Sequence, residues 1–325
     1  MTTMSSMRRT VLKSLFIATG AGLLPATVRG QQAYPSRPIK LISPWTAGGT
    51  SDIVLRAFAA SAAKFLGGTI IVENRAGAGG TLGAVELVNA RPDGYTLSQL
   101  ALSVLSVPHM QKVQFDPLKD ITFIARVSAY TNGLVVRADS SVKTVKDLMD
   151  YARANPGKFT YASSGVGSSP HLSVEELAFR GGVEFQHIPY KADSESLQAL
   201  LGGSVMGISG STSWGPQVDA GTMRLLATYG SKRTKRWPNS PTLLELGYAV
   251  PDTPFGFGGP KGMDPAIVAR LEEAFRQALS DPTVLAVLDR SDMPATFMSS
   301  PEYTKSSFEM FEAQRIMITR MGLKA

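Results

Sequence analysis

The sequence predicts an α/β protein of two lobes, each a parallel or mixed sheet flanked by helices, with a ligand cleft between the lobes. Three observations carry this. Short apolar strands alternate with helices in a β-α-β-α-β run over residues 39–100, the pattern of a parallel sheet. Two loops of one design, residues 43–52 and 163–171, each join a strand to a helix through glycines and hydroxyl side chains. The chain's 325 residues are enough for two domains, and 43% hydrophobic with 8% aromatic content excludes a disordered chain.

The first thirty residues stand apart. Arg8 and Arg9 precede an apolar run over 14–24, and Pro25, Val28 and Gly30 lead to a cleavage point before Gln31, which together read as an export signal over residues 1–30. The arginine pair with Leu12 and Lys13 is twin-arginine-like, while Met7 and Val11 depart from that pattern, so the export route stays open. An uncleaved anchor is the alternative, but the run is well short of the roughly 20 residues of a spanning helix. The expected product is a soluble periplasmic protein. Residues 1–30 hold four basic residues and no acidic one, so the mature chain sets 29 basic against 26 acidic residues, a charge of +3. No clustered basic face remains, which excludes a nucleic-acid binder. With no cysteine, disulfides and thiol catalysis are excluded as well.

Taken in order, residues 39–43 read as a strand and 53–66 as a helix with Val54, Phe58, Phe65 and Leu66 on one face. A strand over 69–73 leads to the glycine-rich turn 74–80, a helix over 81–90, and, after Asp93-Gly94, a strand over 95–100. Segments 123–127 and 133–137 read as extended, and the crossing between lobes falls between them. Thr144 and Asp147 form a capping-box pattern for a helix over 145–154, stopped by Asn155-Pro156-Gly157. A strand over 160–163 precedes the second glycine-serine loop, where Ser169 is the expected N-cap and Pro170 the first helical residue. Further β-α units follow at 185–201 and 205–214, with a strand over 224–229, and a charged, Pro-punctuated loop over 233–241 near which the chain recrosses. Pro265 opens a helix to Ser280, and Ser300-Pro301 a last helix ending near Gly322. Lobe 1 is then 31–130 plus 250–325, and lobe 2 is 131–249.

The chemistry sits in the loops. Gly48 and Gly49 admit positive φ and close approach of a ligand to the main chain, and Thr50, Ser51 and Asp52 are all capable N-caps. A helix start presents unpaired N–H donors and the positive end of the helix dipole, a seat for a carboxylate or phosphate that needs no Lys or Arg. Open α/β sheets bind ligands beyond the carboxyl ends of their strands. The candidate ligand-binding residues are therefore Trp45, Thr46, Ala47, Gly48, Gly49, Thr50, Ser51 and Asp52 on the first loop, and Ser103 after the third strand. On the second lobe they are Gly165, Gly167, Ser168, Ser169 and His171, with Thr212, Ser213 and Trp214 after the strand at 205–209.

Rival chemistries fit less well. Ser168, Ser169 and His171 raise a hydrolase, yet the Gly-x-Ser-x-Gly elbow is not formed, so no catalytic residue is assigned. Only His109, His171 and His187 exist, without metal-ligand spacing, so neither a metal nor a cofactor is expected. Gly77 and Gly79 would need a further glycine at position 82 for a dinucleotide fingerprint, and Leu82 stands there. The turn is a tight turn or part of a cleft wall. Glu175 and Glu176 read as a solvated helix face.

Segments spread over the whole mature chain resemble the solute receptors of tripartite tricarboxylate transporters, also called Bug-type receptors. They are residues 34–39, 44–52, 72–80, 92–97, 116–120, 165–172, 189–191 and 200–203. The resemblance implies a two-lobed periplasmic binding fold of type II, closing over one small organic anion and presented to a membrane permease. A regulatory use of the same fold, reporting to a sensor kinase, is the second reading. It also implies that main-chain and hydroxyl groups of both glycine loops grip a ligand carboxylate in a monomeric receptor. Departures bear on the ligand. Many members have Pro-Pro where Thr46-Ala47 stand, Gly-Gly where Ala192-Asp193 stand, and an Asp-Asn pair after the strand that here ends in Ser209, where this chain has Gly210-Ser211-Thr212-Ser213-Trp214. A carboxylate at that last place would suit an ammonium, so its absence points to a ligand without one. Trp45, Trp214 and Phe255 are candidate apolar walls, or core packing.

Overall fold

A computed structural model describes residues 34–248 and 251–323. The export signal proposed for residues 1–30 lies outside the described residues. The chain opens with β1 (Ile39–Ser43), α1 (Thr50–Leu66), β2 (Ile70–Asn74), α2 (Leu82–Val88), β3 (Thr96–Leu100), the short α3 (Ser103–Ser106) and β4 (Ile121–Ala129). It continues through β5 (Asn132–Arg137), α4 (Val145–Ala154), β6 (Thr160–Ser163), α5 (Ser169–Gly181), β7 (Gln186–Pro189), α6 (Asp193–Leu201), β8 (Gly207–Ser211), α7 (Gly215–Asp219) and β9 (Met223–Thr228). It ends with β10 (Pro254–Pro260), α8 (Pro265–Leu279), α9 (Pro282–Arg290), β11 (Ala295–Met298) and α10 (Ser300–Met321).

The strands form two mixed sheets, as the sequence predicts. The first has the order β11-β4-β10-β3-β1-β2 and the second β7-β6-β8-β5-β9. β1 pairs in parallel with both β2 and β3, and β6 in parallel with β7 and β8. Antiparallel strands complete each sheet: β10 between β3 and β4, and β5 between β8 and β9. The chain leaves the first sheet after Ala129 and enters the second at Asn132, between the two segments expected to flank a crossing.

Sequence periodicity did not disclose β10, α9 or β11. The β10 stretch, Pro-Phe-Gly-Phe-Gly-Gly-Pro, carries the glycines and prolines of a loop. It is nevertheless buried along its whole length, because Tyr303 lies where a Cβ at Gly256 would stand and the Leu100 side chain where one at Gly258 would stand. Glycine admits that close packing at the centre of a sheet. Phe255 and Phe257 alternate with those glycines and pack with Phe58 and Phe275 into the main core between the first sheet and helices α1, α8 and α9. Burying each such ring contributes about 1.5–3 kcal/mol. Phe255 is thus core and not a ligand wall.

Boundaries moved by a few residues for local reasons. α1 starts at Thr50 rather than 53, with Gly49 as its N-cap and no capping side chain, because Asp52 folds back to accept from the Gly48 N–H at 3.0 Å. In α5 the N-cap is Ser168 and not Ser169, and Pro170 takes the second helical position. β8 runs on through Gly210 and Ser211, which were expected to lie in a loop. The Thr144–Asp147 capping box forms as its spacing requires. α10 packs along β4 and ends against α5, where Arg320 reaches the buried Glu176 carboxylate at 2.5 Å. Glu176 is therefore a paired, buried group and not the solvated one its position suggested.

Candidate functional site

The loops after β1, β6 and β7 all leave the carboxyl ends of parallel strands, and they converge. They surround a space, partly open to solvent, whose enclosed volume is about 40 Å³. From the first sheet come Trp45, Thr46 and Gly49 with the opening of α1, Thr50 and Ser51. Tyr130 and Asn132 stand at the crossing. From the second sheet come Ser164, Ser169 and Pro170 at the start of α5, Ala192, Asp193 and Ser194 at the start of α6, and Ser211 at the end of β8.

Three helix N-termini therefore meet at one space. Those of α1 and α6 have no side-chain cap, so their first-turn N–H groups keep their donor capacity. Each terminus favours an anion by about 0.3–1 kcal/mol, and by more when partly buried. Hydroxyls supplement them: Ser51 Oγ and Tyr130 Oη are 2.7 Å apart, and Asn132 Nδ2 donates to Ser169 Oγ at 3.3 Å. Burial pushes the Tyr130 phenol well above its usual range, so it stays neutral, a donor or an acceptor. Among the described residues the wall contains no Lys, Arg or His and a single ionisable carboxylate, Asp193.

The first loop is held from behind. Asn74 Nδ2 donates to Trp45 O at 2.9 Å and to Asp52 Oδ1 at 2.8 Å, while Arg56 Nε donates to Asp52 Oδ2 at 3.0 Å. Burial alone would raise the Asp52 carboxyl, but hydrogen bonds from Arg56, the Gly48 N–H and Asn74 more than offset it and hold it low. Asp52 is thus a brace for the loop. Gly48 has φ +83°, and its N–H is taken up by Asp52, while both it and Ala47 are exposed outside the cavity wall.

The second loop differs from expectation in the same way. The Gly167 N–H donates to His171 Nδ1 at 3.2 Å, and the Ser168 hydroxyl donates to Gly165 O at 2.7 Å while capping α5. His171 lies behind the loop with its ring 4.2 Å from that of His187, and burial together with the His187 charge pushes its pKa down to about 3. Ser103 is buried in α3. Thr212 Oγ1 donates to Ser291 O at 2.7 Å, Ser213 Oγ to Ser211 O at 3.4 Å, and Trp214 is fully buried against Trp237 with its N–H on Gly210 O. Of the sequence candidates, Trp45, Thr46, Gly49, Thr50, Ser51 and Ser169 line the cavity; the others support it or lie elsewhere.

Sequence reasoning missed Tyr130, Asn132, Ser164, Pro170, Ala192, Asp193, Ser194 and Ser211. A signal existed for α6, since its start after β7 repeats the strand-to-helix pattern of the two loops that were singled out. The expectation that the end of β8 lacks a carboxylate is corrected. Asp193 brings one from α6 to the end of β8, where its Oδ2 accepts from the Ser211 N–H at 2.8 Å and from the Ser211 hydroxyl.

Several contacts join the two sheets around this space. Thr46 Oγ1 and Ser194 Oγ are 3.3 Å apart, and Ser106 Oγ donates to Gly167 O at 2.6 Å. At the rim, bare backbone meets bare backbone: a Cβ at Gly79 would lie 2.4 Å from Val166 O, and one at Gly165 2.9 Å from Gly79 Cα. The turn 74–80 therefore meets the second glycine loop at the rim, outside the cavity wall, and Gly80 lies under the Trp45 ring.

Two mixed sheets with a cavity at the converging strand ends define a periplasmic-binding-protein fold. The fold is similar to that of the periplasmic binding protein BugD, at a TM-score of 0.84 and 27% identity over 90% of this chain and 99% of that one. Residues 54–323 match the family described as "Tripartite tricarboxylate transporter family receptor", and the chain belongs to that family. Among its relatives is the "UPF0065 protein in gbd 5'region" of Cupriavidus necator, 45% identical over 94% of both chains. BugT of Bordetella pertussis is 31% identical over 87% of both. Two similar structures were solved with ligands. One is an R. palustris protein with adipate, at TM-score 0.83 and 27% identity over 89% of this chain and 98% of that one. The other is MatC from Rhodopseudomonas palustris with malate, at TM-score 0.82 and 26% identity over 88% and 100%.

Proposed function

We propose that this protein captures one small organic carboxylate, either a di- or tricarboxylate or an aromatic carboxylate, between lobes 31–130 plus 250–325 and 131–249. It delivers that ligand in the periplasm to the membrane subunits of a tripartite tricarboxylate-type transporter, without catalysis. The observation that carries this reading is the meeting of the α1, α5 and α6 N-termini at one cavity wall that holds no basic side chain among the described residues. Such a wall favours an anion through main-chain N–H groups and dipoles, at distances fixed by the backbone. The relatives solved with adipate and malate support a carboxylate as the class.

The contacts between the sheets support a closing mechanism. Thr46–Ser194, Ser106–Gly167 and the Gly79–Gly165 rim exist only while the sheets are close together. A ligand that touches both α1 and α5 gains contacts in that arrangement alone, and this difference shifts the population toward it. Calorimetric titration of ligand-stripped protein against mono-, di- and tricarboxylates, aromatic carboxylates and acidic amino acids tests the reading. One-to-one binding without turnover is the expected result, and silence across the panel overturns it. Loss of ligand uptake on deletion of the gene distinguishes delivery to a permease from signalling to a kinase.

A further inference from the structure

Asp193 is the one carboxylate on the cavity wall among the described residues, and the anion seats described above do not use it. It opens α6, its Oδ2 is held by Ser211, and its Oδ1 is buried with no hydrogen-bond partner among the described residues. The neighbouring backbone is bare to accommodate it: a Cβ at Gly210 would lie 2.9 Å from that Oδ1 and 3.0 Å from Cγ. Burial raises the carboxyl's pKa, opposed by the hydrogen bonds from Ser211 and by the nearby Ser164 hydroxyl, which makes no full hydrogen bond to it. A buried acceptor without a donor is costly, and a ligand that brings the donor recovers that cost. A second ligand carboxylate placed there would instead meet a like charge, with no basic side chain on the wall to offset it.

We propose that Asp193 is a specificity residue whose free Oδ1 accepts a hydrogen bond from the ligand, so that the protein selects a carboxylate also bearing an ammonium or hydroxyl group. This rests on the reading of the cavity as a carboxylate site. An ammonium serves best, because it supplies charge as well as a donor, then a hydroxyl, then an unsubstituted chain. Asp193 contacts the donor group of the ligand directly, and the α1 and α5 termini take the carboxylate.

The test is calorimetry on matched series: succinate, glutarate, adipate and butyrate, each beside its hydroxy and amino derivatives. In at least one series the donor-bearing compound binds at least about tenfold tighter than its unsubstituted parent, because a site built for a donor rejects the analogue lacking it. Asp193→Asn keeps an acceptor for Ser211 and removes the charge, and it erases most of the preference for the amino compound while the circular dichroism spectrum is retained. If the unsubstituted acids bind as tightly as their derivatives, the inference is overturned and the carboxylate reading stands, a result that needs only the parent protein. If the preference exists but survives in Asp193→Asn, its assignment to Asp193 is overturned. If no carboxylate in any series binds, the underlying reading fails and this inference falls with it.

Discussion

Replacing Gly79 with alanine separates binding from folding. Gly79 has φ +63°, and the added Cβ would lie 2.4 Å from the carbonyl oxygen of Val166. Ordinary contact needs about 3.5 Å, so the two loops must part by roughly 1 Å. Both sides of the contact are main chain, and no side chain can swing away. Overpacking of this kind costs about 1–3 kcal/mol, and here only while the sheets are close together. At 1.4 kcal/mol per tenfold, affinity falls by roughly 5- to 150-fold. The left-handed backbone adds a strain of about 1–2 kcal/mol that is present whether or not ligand is bound, and so lowers stability alone. Gly182→Ala is the matched control, since Gly182 has φ +60° and open space around its Cβ. Calorimetry with the tightest ligand of the panel, beside thermal melting, reads both effects. Both variants lose similar stability, and only Gly79→Ala loses affinity. A dissociation constant for Gly79→Ala within twofold of the parent would refute the reasoning about the closed rim.

Three further outcomes are expected. Asp52→Asn breaks the brace among Gly48, Arg56 and Asn74, costs about 1–3 kcal/mol in urea denaturation, and weakens ligand binding; an unchanged unfolding midpoint counts against the brace. Gly49→Val has backbone room, with φ −76° and its nearest neighbour, Thr46 O, 3.9 Å away, so the variant folds while its branched side chain fills the cavity and abolishes calorimetric binding. Normal binding by folded Gly49→Val would move the anion seat elsewhere. The third concerns pH: burial and the neighbouring His187 charge push His171 down to about 3, and burial pushes His187 down to about 4. Between pH 6.5 and about 4 the unfolded chain binds protons that the folded one does not, so stability rises with pH across that window, by up to about 1.4 kcal/mol per pH unit for each histidine. The melting temperature is therefore lower at pH 5 than at pH 7.5, and His187→Gln narrows the gap; an unchanged gap places the cause outside this pair.

What the sequence determined by itself was local. The Thr144–Asp147 capping box, the left-handed end of α10 at Gly322, and the β-α alternation around residues 39–100 and 160–201 each depend on residues within a turn or two of one another. Physical chemistry at that range is written in spacing. The two glycine loops were legible for the same reason, and with them Trp45, Thr46, Gly49, Thr50, Ser51 and Ser169 on the cavity wall. Tertiary structure decided the rest. β10 is a strand because β3 and β4 supply partners more than a hundred residues away, which its glycines and prolines do not announce. Gly48, Gly167 and His171 look like ligand groups in isolation, but the fold gives their polar atoms to one another and to Asp52. Asp193 follows no glycine loop and reaches the cavity only because α6 starts beside the end of β8. A cap satisfies its helix within four residues, whereas a cavity exists only once both sheets are packed, so the atoms lining it were settled by long-range contacts.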